Sequence, residues 1–431
     1  MMKSLFIALA ISLYPGIYTG PQKNFDAFTV QFVKGYKDLH IPDLELPYVD
    51  DIKDIKSADS VAMEISFFTS VRKKLNAFTL STLTLSQKQD ALQIKYEADM
   101  NLQRLALEKE WLANKPDSVS AKGISTIHNG KNWYTYLLNR WLMDNVTPDQ
   151  IYQFGLQEVK TVKEHIEQIR LKTGLSEDAF YHHLNDPSFF TNNPAEVQHL
   201  FEATKEVVYH HLGSVFYPHN IPPLTIKRGE AKALAQAPGY YDSNTFYYNL
   251  FDKPYNTRAV DWLFIHEAVP GHHYQISIYA AQKHTNVQEL FNYPCYAEGW
   301  ACYTEDLGKE IGLYKTPYAE LGKWEWDIVR AVRIPMDIGL NYYGWTDEQA
   351  LAFWKKNIRN QDDIALREIA RVKRWPVQAI SYNYGAWRIK QFKQMLQKKE
   401  GSKFNIRDFH ERVLNSGFLP WFMVEKNVLK G

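Results

Sequence analysis

The chain has 431 residues, 45% apolar and 23% charged, which excludes a disordered chain, a collagen-like repeat and a multi-span membrane protein. Its 50 Lys and Arg face 49 Asp and Glu, a formal net charge of +1, and that balance excludes the basic footprint of a nucleic-acid binder. Two cysteines, Cys295 and Cys302, exclude a disulfide framework, while Tyr, Phe and Trp at 14% predict aromatic cores or clefts.

The first element is a short apolar run, Leu5 to Leu13, behind Lys3 and ahead of small and turn residues. It resembles a secretory signal peptide over residues 1–20 and predicts an exported protein, periplasmic or secreted. The run is too short to span a bilayer, and no other stretch reaches the roughly 18 apolar residues that a span needs, so no stable membrane insertion is expected. No cysteine follows the run, so a lipid anchor is not expected. With no linker, repeat or low-complexity tract behind it, residues 21–431 read as a single catalytic unit.

Helical signals dominate that unit. Ser86 is expected to cap a segment reaching about Ala113, with Pro116 closing it and Leu92, Tyr96, Leu102, Leu105 and Trp111 at helical spacing. Thr147-Pro148-Asp149-Gln150 is a capping box with proline at the first helical position, followed by an apolar stripe through Ile151, Phe154, Val159, Val162, Ile166 and Ile169 and a stop at Gly174. Asn193-Pro194 opens another helix, with Leu200, Phe201, Val208 and Leu212 on its buried side, and Thr346-Asp347-Glu348-Gln349 opens a further one. A short β interruption begins at Pro222–Lys227. Two aromatic runs, 237–241 and 245–249, then flank Asp242-Ser243-Asn244 and predict a hairpin. The expected fold class is mainly α with a small sheet.

The chemistry concentrates in residues 262–273, Trp-Leu-Phe-Ile-His-Glu-Ala-Val-Pro-Gly-His-His. Three of the chain's 14 histidines and one glutamate fall within eight positions. The zinc-peptidase spacing His-Glu-x-x-His puts two imidazoles on one helical face, with the glutamate beside them as base. Here Pro270 occupies the position of the second histidine. On a straight helix His272 points away from His266, at about 240°, and His273 lies about 10 Å along the axis. Pro270 and Gly271 remove the objection, because a proline ring clashes with the carbonyl four residues back and glycine adopts torsions that other residues resist. A two-residue bulge would bring His272 to the missing position. His272 is therefore the expected second ligand and His273 the alternative. The bland reading is a helix end with chance histidines.

Zinc requires a third protein ligand and an open position. Glu298, at the start of a second helix in Tyr296–Asp306, is the candidate, and Glu305, two turns on, is placed to orient a ligand imidazole. Cys302 is either a soft ligand or a small buried hydrophobe. A Cys295–Cys302 bridge is awkward, since seven helical positions separate the two by about 10 Å.

The pairing of His-Glu-x-x-Pro-Gly-His-His at 266–273 with Glu-Gly-Trp-Ala at 298–301 resembles a bacterial family of unknown function that is grouped with the glutamate-zincin metallopeptidases. The resemblance runs from about Thr147 to the C-terminus and takes in 330–340 and 375–385. It implies a helical fold around a deep zinc cleft, with His266, His272 and Glu298 as ligands and Glu267 as general base. The chain departs from the pattern at Asn341, where relatives carry a histidine. The expected function is zinc-dependent cleavage of peptide bonds by a metal-activated water. Tyr382, with Tyr384 behind it, is the candidate donor to the oxyanion, the alternative for both being ordinary aromatic packing. Arg330, Arg333 and Arg388 are either clamps for a substrate carboxylate or structural ion-pair partners. The edge of the hairpin is either a place for an extended peptide or part of a plain structural hairpin. Two further readings stay open: a zinc hydrolase of another amide or ester, and a catalytically inactive peptide-binding protein on a peptidase fold.

Overall fold

In the computed structural model the Thr147 capping box forms. Thr147 Oγ1 accepts from the Gln150 amide at 3.2 Å, and Gln150 Oε1 accepts from the Thr147 amide at 2.9 Å. Two amides that no helical carbonyl can reach are thereby satisfied. The structure describes residues 21–41, 52, 54–114, 123–231, 237–250, 253–359 and 361–430. The expected signal peptide at 1–20 and the stop at Pro116 lie outside the described residues.

In chain order the helices are α1 (Pro21–Asp38), α2 (Ala58–Leu75), α3 (Leu85–Ala113), α4 (Gly130–Leu142), α5 (Pro148–Thr173), α6 (Glu177–His183), α7 (Pro194–His211), α8 (Val260–Glu267), α9 (His272–Ala280), α10 (Pro294–Glu305), α11 (Pro317–Ile338), α12 (Asp347–Asn357), α13 (Asp362–Arg374), α14 (Ser381–Glu400), α15 (Ile406–Ser416) and α16 (Trp421–Lys430). The strands are short: β1 (Phe190–Thr191), β2 (Thr225–Arg228), β3 (Gly239–Asp242), β4 (Thr245–Tyr248) and β5 (Tyr255–Asn256). The protein is mainly helical with small sheets, as its sequence predicts.

Asn193 caps α7 through the Ala195 amide, and Thr346 and Gln349 form a second capping box at α12. At α3 the start lies earlier than expected. Thr84, not Ser86, caps the helix, because Thr84 and Gln87 satisfy each other's amides and draw Ser86 into the first turn. The face that α3 buries also differs. Leu92, Tyr96 and Leu102 are only half-buried, while Gln93, Glu97, Asn101, Arg104 and Glu108 are buried. Partners distant in sequence make this possible: Arg104 donates to Glu64 at 2.7 Å and to Glu108, and Arg140 donates to Glu97 at 2.8 Å. A buried charge persists only when paired in this way.

The predicted hairpin is β3–β4, antiparallel with Tyr240 opposite Tyr247. The β2 strand adds to β4 in parallel, giving the order β2-β4-β3 with β3 at an edge. This sheet lies against α7 and α8. Elsewhere α5 runs along α11, and α10 crosses α14. That crossing is very close: a Cβ on Gly299 would stand 2.5 Å from the Gly385 backbone, and a Cβ on Gly385 would stand 2.2 Å from the Cys295 carbonyl oxygen. The aromatic surplus is largely core, with Trp111, Trp133, Trp300, Trp354 and Trp421 all buried. Among the described residues no helix is long and apolar enough to cross a membrane.

Asp337 on α11 is fully buried. Its carboxyl accepts from the Tyr134 hydroxyl at 2.9 Å, the Asn341 amide at 3.2 Å and the Val377 backbone amide at 2.9 Å. Burial outweighs these donors and pushes the carboxyl up to about 7, against 3.8 for a free aspartate. The folded state therefore holds a proton that the unfolded chain releases between about pH 4 and pH 7, so this group's contribution to stability falls as pH rises through that window. The loss is on the order of 4 kcal/mol across the window. Asp337→Asn is expected to flatten the melting temperature against pH relative to wild type. It should also lower the melting temperature throughout, since the amide keeps one acceptor oxygen where the carboxyl offers two, and its NH2 must face at least one of the three donors. Thermal unfolding between pH 4.5 and 8 checks both, and an unchanged slope refutes the assignment.

Candidate metal centre

The α8 helix is apolar through Leu263, Phe264 and Ile265 and delivers His266 and Glu267 at its C-terminal end, both buried. The helix stops there because Pro270 has no amide to donate to His266 and its ring would clash with that carbonyl. The last intrahelical bond runs from the Ala268 amide to Phe264 O at 2.9 Å. The chain turns through Val269, Pro270 and Gly271, with the Val269–Pro270 peptide cis, and restarts as α9 at His272. Where a bulge in one helix was expected, the chain breaks into two helices. Gly271 passes so near the end of α8 that a Cβ would lie 1.9 Å from His266 O and 2.3 Å from Ile265 O. The α10 helix ties the turn down, as Trp300 Nε1 donates to Pro270 O at 2.8 Å.

The break brings the two imidazoles together, with ring centroids 4.9 Å apart and planes at 86°. Glu298, from the first turns of α10, completes the group. Its Oε2 lies 3.5 Å from His266 Nε2 and 3.5 Å from His272 Nε2, and all three donor atoms fall within 4.8 Å of one another. Ligand atoms held tetrahedrally by zinc at about 2.0–2.1 Å are about 3.3–3.4 Å apart. The Glu298 Oε2 atom is buried and makes no hydrogen bond within the structure, a costly state for a carboxylate oxygen unless a cation lies between it and the rings. Burial alone would raise the Glu298 carboxyl, but the facing imidazoles outweigh it and hold it well below the usual carboxylate range. Side-chain exposure rises from 5% at His266 to 13% at His272 and 24% at Glu298, so the group is open on one side. These residues fit a zinc ion with a free coordination position.

His266 is held from behind. Its Nδ1 lies 2.8 Å from Glu305 Oε1, and a carboxylate there fixes the ring proton on Nδ1, leaving the Nε2 lone pair facing Glu298 and His272. Arg330 donates to Glu305 at 2.9 Å and to Asp327 at 3.0 Å, and Asp327 in turn accepts from Lys323 at 2.6 Å. His266, Cys302 and Glu305 form a second group of ligand-type atoms. A cation there would meet the Arg330 guanidinium, 3.3 Å from His266 Nδ1, and burial keeps the Cys302 thiol protonated by pushing it up. Both cysteines are free.

Glu267 projects from the same turn of α8 as His266. Burial pushes its carboxyl above the usual range, against the pull of the His266 and His272 imidazoles. Tyr382, at the start of α14, brings its ring to 6.5 Å from the His266 ring, and its hydroxyl accepts from Gln378 Nε2 at 3.0 Å.

A family model of bacterial proteins of unknown function, DUF885, matches residues 50–428. The chain belongs to the DUF885 family. Two solved structures share its fold. A candidate lipoprotein from Colwellia psychrerythraea superposes with a TM-score of 0.66 and 25% identity, covering 88% of this chain and 68% of that one. A candidate lipoprotein of unknown function from Shewanella oneidensis superposes with a TM-score of 0.72 and 17% identity, covering 94% of this chain and 100% of that one. No curated protein matches the sequence.

Other expected residues of the DUF885 chain have partners of their own. His273 is fully buried and turned toward the sheet, with Nδ1 3.2 Å from the Tyr241 hydroxyl and Nε2 3.0 Å from Pro222 O. Tyr384 donates to Asp144 at 2.8 Å. Asn341, where the resemblance leads one to expect a histidine, is fully buried and donates to Asp337 and to Val372 O. Arg330, Arg333 and Arg388 are all ion-paired, with Glu305, Glu368 and Asp144 respectively, so none is left to grip a substrate. The large cavity of the DUF885 protein, about 1500 Å³, is lined by α5, α6, Trp262, Trp326 and α12, with none of His266, Glu267, His272, Glu298 or Tyr382 on its wall. Trp262 stacks on Trp326 at 5.7 Å, while the Arg330 guanidinium lies over both the Trp262 and the Tyr382 rings. This aromatic and guanidinium layer stands between the cavity and the His266 side of the cluster.

Proposed function

We propose that this DUF885 protein is a zinc-dependent metallopeptidase of the glutamate-zincin kind. The observation that carries the reading is the convergence of His266 Nε2, His272 Nε2 and Glu298 Oε2, with that carboxylate oxygen buried and without a hydrogen bond. Zinc held by two neutral imidazoles and a carboxylate would polarise a scissile carbonyl and lower the pKa of water toward neutrality.

The chain's own residues supply the rest. Glu267 stands beside the ligand His266 in a buried site, and its raised carboxyl suits it to take a proton from water and pass it to the leaving amine. Water adds across the C–N bond, with its oxygen entering the new carboxyl group. Tyr382 accepts from Gln378, which leaves its own O–H to donate to the oxyanion. Glu305, backed by Arg330, keeps His266 in the ligand tautomer. The apolar run at Leu5–Leu13, together with two structural relatives described as candidate lipoproteins, supports an exported protein.

Elemental analysis of purified protein should find stoichiometric zinc. His266→Ala should lose both the metal and the hydrolysis of a peptide library at neutral pH. Protein without zinc, or a His266→Ala variant that keeps it, refutes the site.

A further inference from the structure

Beside the proposed centre lies a guanidinium that, among the described residues, touches no carboxylate, although Glu368 and Glu298 act on it from farther off. Arg371, on α13, donates from Nη2 to Gln378 Oε1 at 2.8 Å. The same Gln378 donates from Nε2 to the Tyr382 hydroxyl at 3.0 Å, and the Tyr382 ring faces the His266 ring at 6.5 Å. Gln378 thus joins the guanidinium to the candidate oxyanion donor. Among the described residues no carboxylate lies within 4 Å of Arg371. The glutamate one turn before it, Glu368, is engaged by Arg333 at 2.7 Å and Arg367 at 3.0 Å. Two other guanidinium groups therefore already share that carboxylate, next to a site that would bind peptide. Arg371 and Tyr382 are both partly exposed, so an incoming group can reach them. A half-buried guanidinium with donors to spare calls for an anion, and a carboxylate matches its planar fork with two parallel hydrogen bonds.

We propose that Arg371 docks the terminal carboxylate of a peptide substrate, which makes the protein a carboxypeptidase that cuts close to the chain end. The inference rests on the peptidase reading above. The Arg371–Gln378–Tyr382 chain holds the docked carboxylate on the side of the centre where Tyr382 meets the reacting carbonyl. Peptides without a free C-terminal carboxylate lose this anchor.

The test compares N-acetylated peptides bearing a free C-terminal carboxylate with the same peptides as C-terminal amides, using zinc-loaded full-length protein. Wild type is expected to cleave the free acids with a kcat/KM about 100-fold above the amides, and near the C-terminus. Arg371→Gln should lower kcat/KM for the acids about 100-fold more than for the amides, mostly through KM, and keep the zinc content. Arg371→Lys should restore part of the difference. Calorimetry with Glu267→Gln, which need not turn over, should register binding of the acid and not of the amide, and adding Arg371→Gln should abolish it. Equal cleavage of acids and amides by wild type overturns the carboxylate pocket while leaving the peptidase reading intact. Equal loss of both substrates in Arg371→Gln makes the residue a structural support and likewise overturns the pocket. Zinc-bound protein that neither cleaves nor binds either peptide overturns both proposals. The wild-type comparison needs no variant, so a misfolded Arg371→Gln leaves the decision in place.

Discussion

Glu267→Gln is expected to keep its zinc and to lose peptide hydrolysis by about 10²–10⁴-fold, the range over which a positioned general base contributes. The substitution preserves the shape of a side chain that is buried at the end of α8 and removes only its capacity to accept a proton. The ligands are untouched, because His266 keeps its Glu305 partner and Glu298 keeps its position between the two imidazoles. The effect should fall on kcat, with KM little changed, since the carboxylate acts in the transition state more than in substrate binding. Zinc content and kinetics measured on the same preparation check it. Full zinc occupancy with activity within threefold of wild type would reject Glu267 as the base.

Gly271→Ala is the second large effect. The added methyl would meet two backbone oxygens, His266 O at 1.9 Å and Ile265 O at 2.3 Å. No side chain can rotate away to relieve that contact, so α8 and α9 must separate. Overpacking a well-packed interior costs about 1–3 kcal/mol when side chains can adjust, and a clash confined to main chain belongs at or above the top of that range. Separation also pulls His272 from His266, so zinc affinity should fall about 10–100-fold, as when ligand support is lost. Gly213→Ala is the control, because an added methyl there meets nothing within 4 Å. The comparison requires chemical unfolding and a zinc competition titration on both variants. If Gly271→Ala behaves like Gly213→Ala, the close approach is wrong.

The sequence made some of this architecture legible and hid the rest for identifiable reasons. Local signals were reliable. The capping boxes at Thr147 and Thr346, the Asn193 cap and the β3–β4 hairpin are each set by a few adjacent residues, and each stands where it was expected. The gathering of His266, His272 and Glu298 was also foreseeable, because a proline and a glycine between histidines announce a change of chain direction. The form of that change was not, since whether a helix bulges or breaks depends on what receives the turn, here the Trp300 indole from a helix far along the chain. The buried polar face of α3 was missed for a similar reason: Glu64, Arg104 and Arg140 compensate charges over long sequence separations. Arg371 carried no signal of its own. Sequence offered Arg330, Arg333 and Arg388 equally, and only the distances reveal that those three are occupied.

The crossing of α10 and α14 has a consequence for how the site can drift. Glu298 is the neighbour of Gly299, and Tyr382 precedes Gly385 by less than one turn, so the two side chains hang from a contact between bare main chains. Neither position can acquire a side chain without prying two rods apart, so the spacing between carboxylate and phenol is a fixed gauge, insensitive to repacking at the periphery.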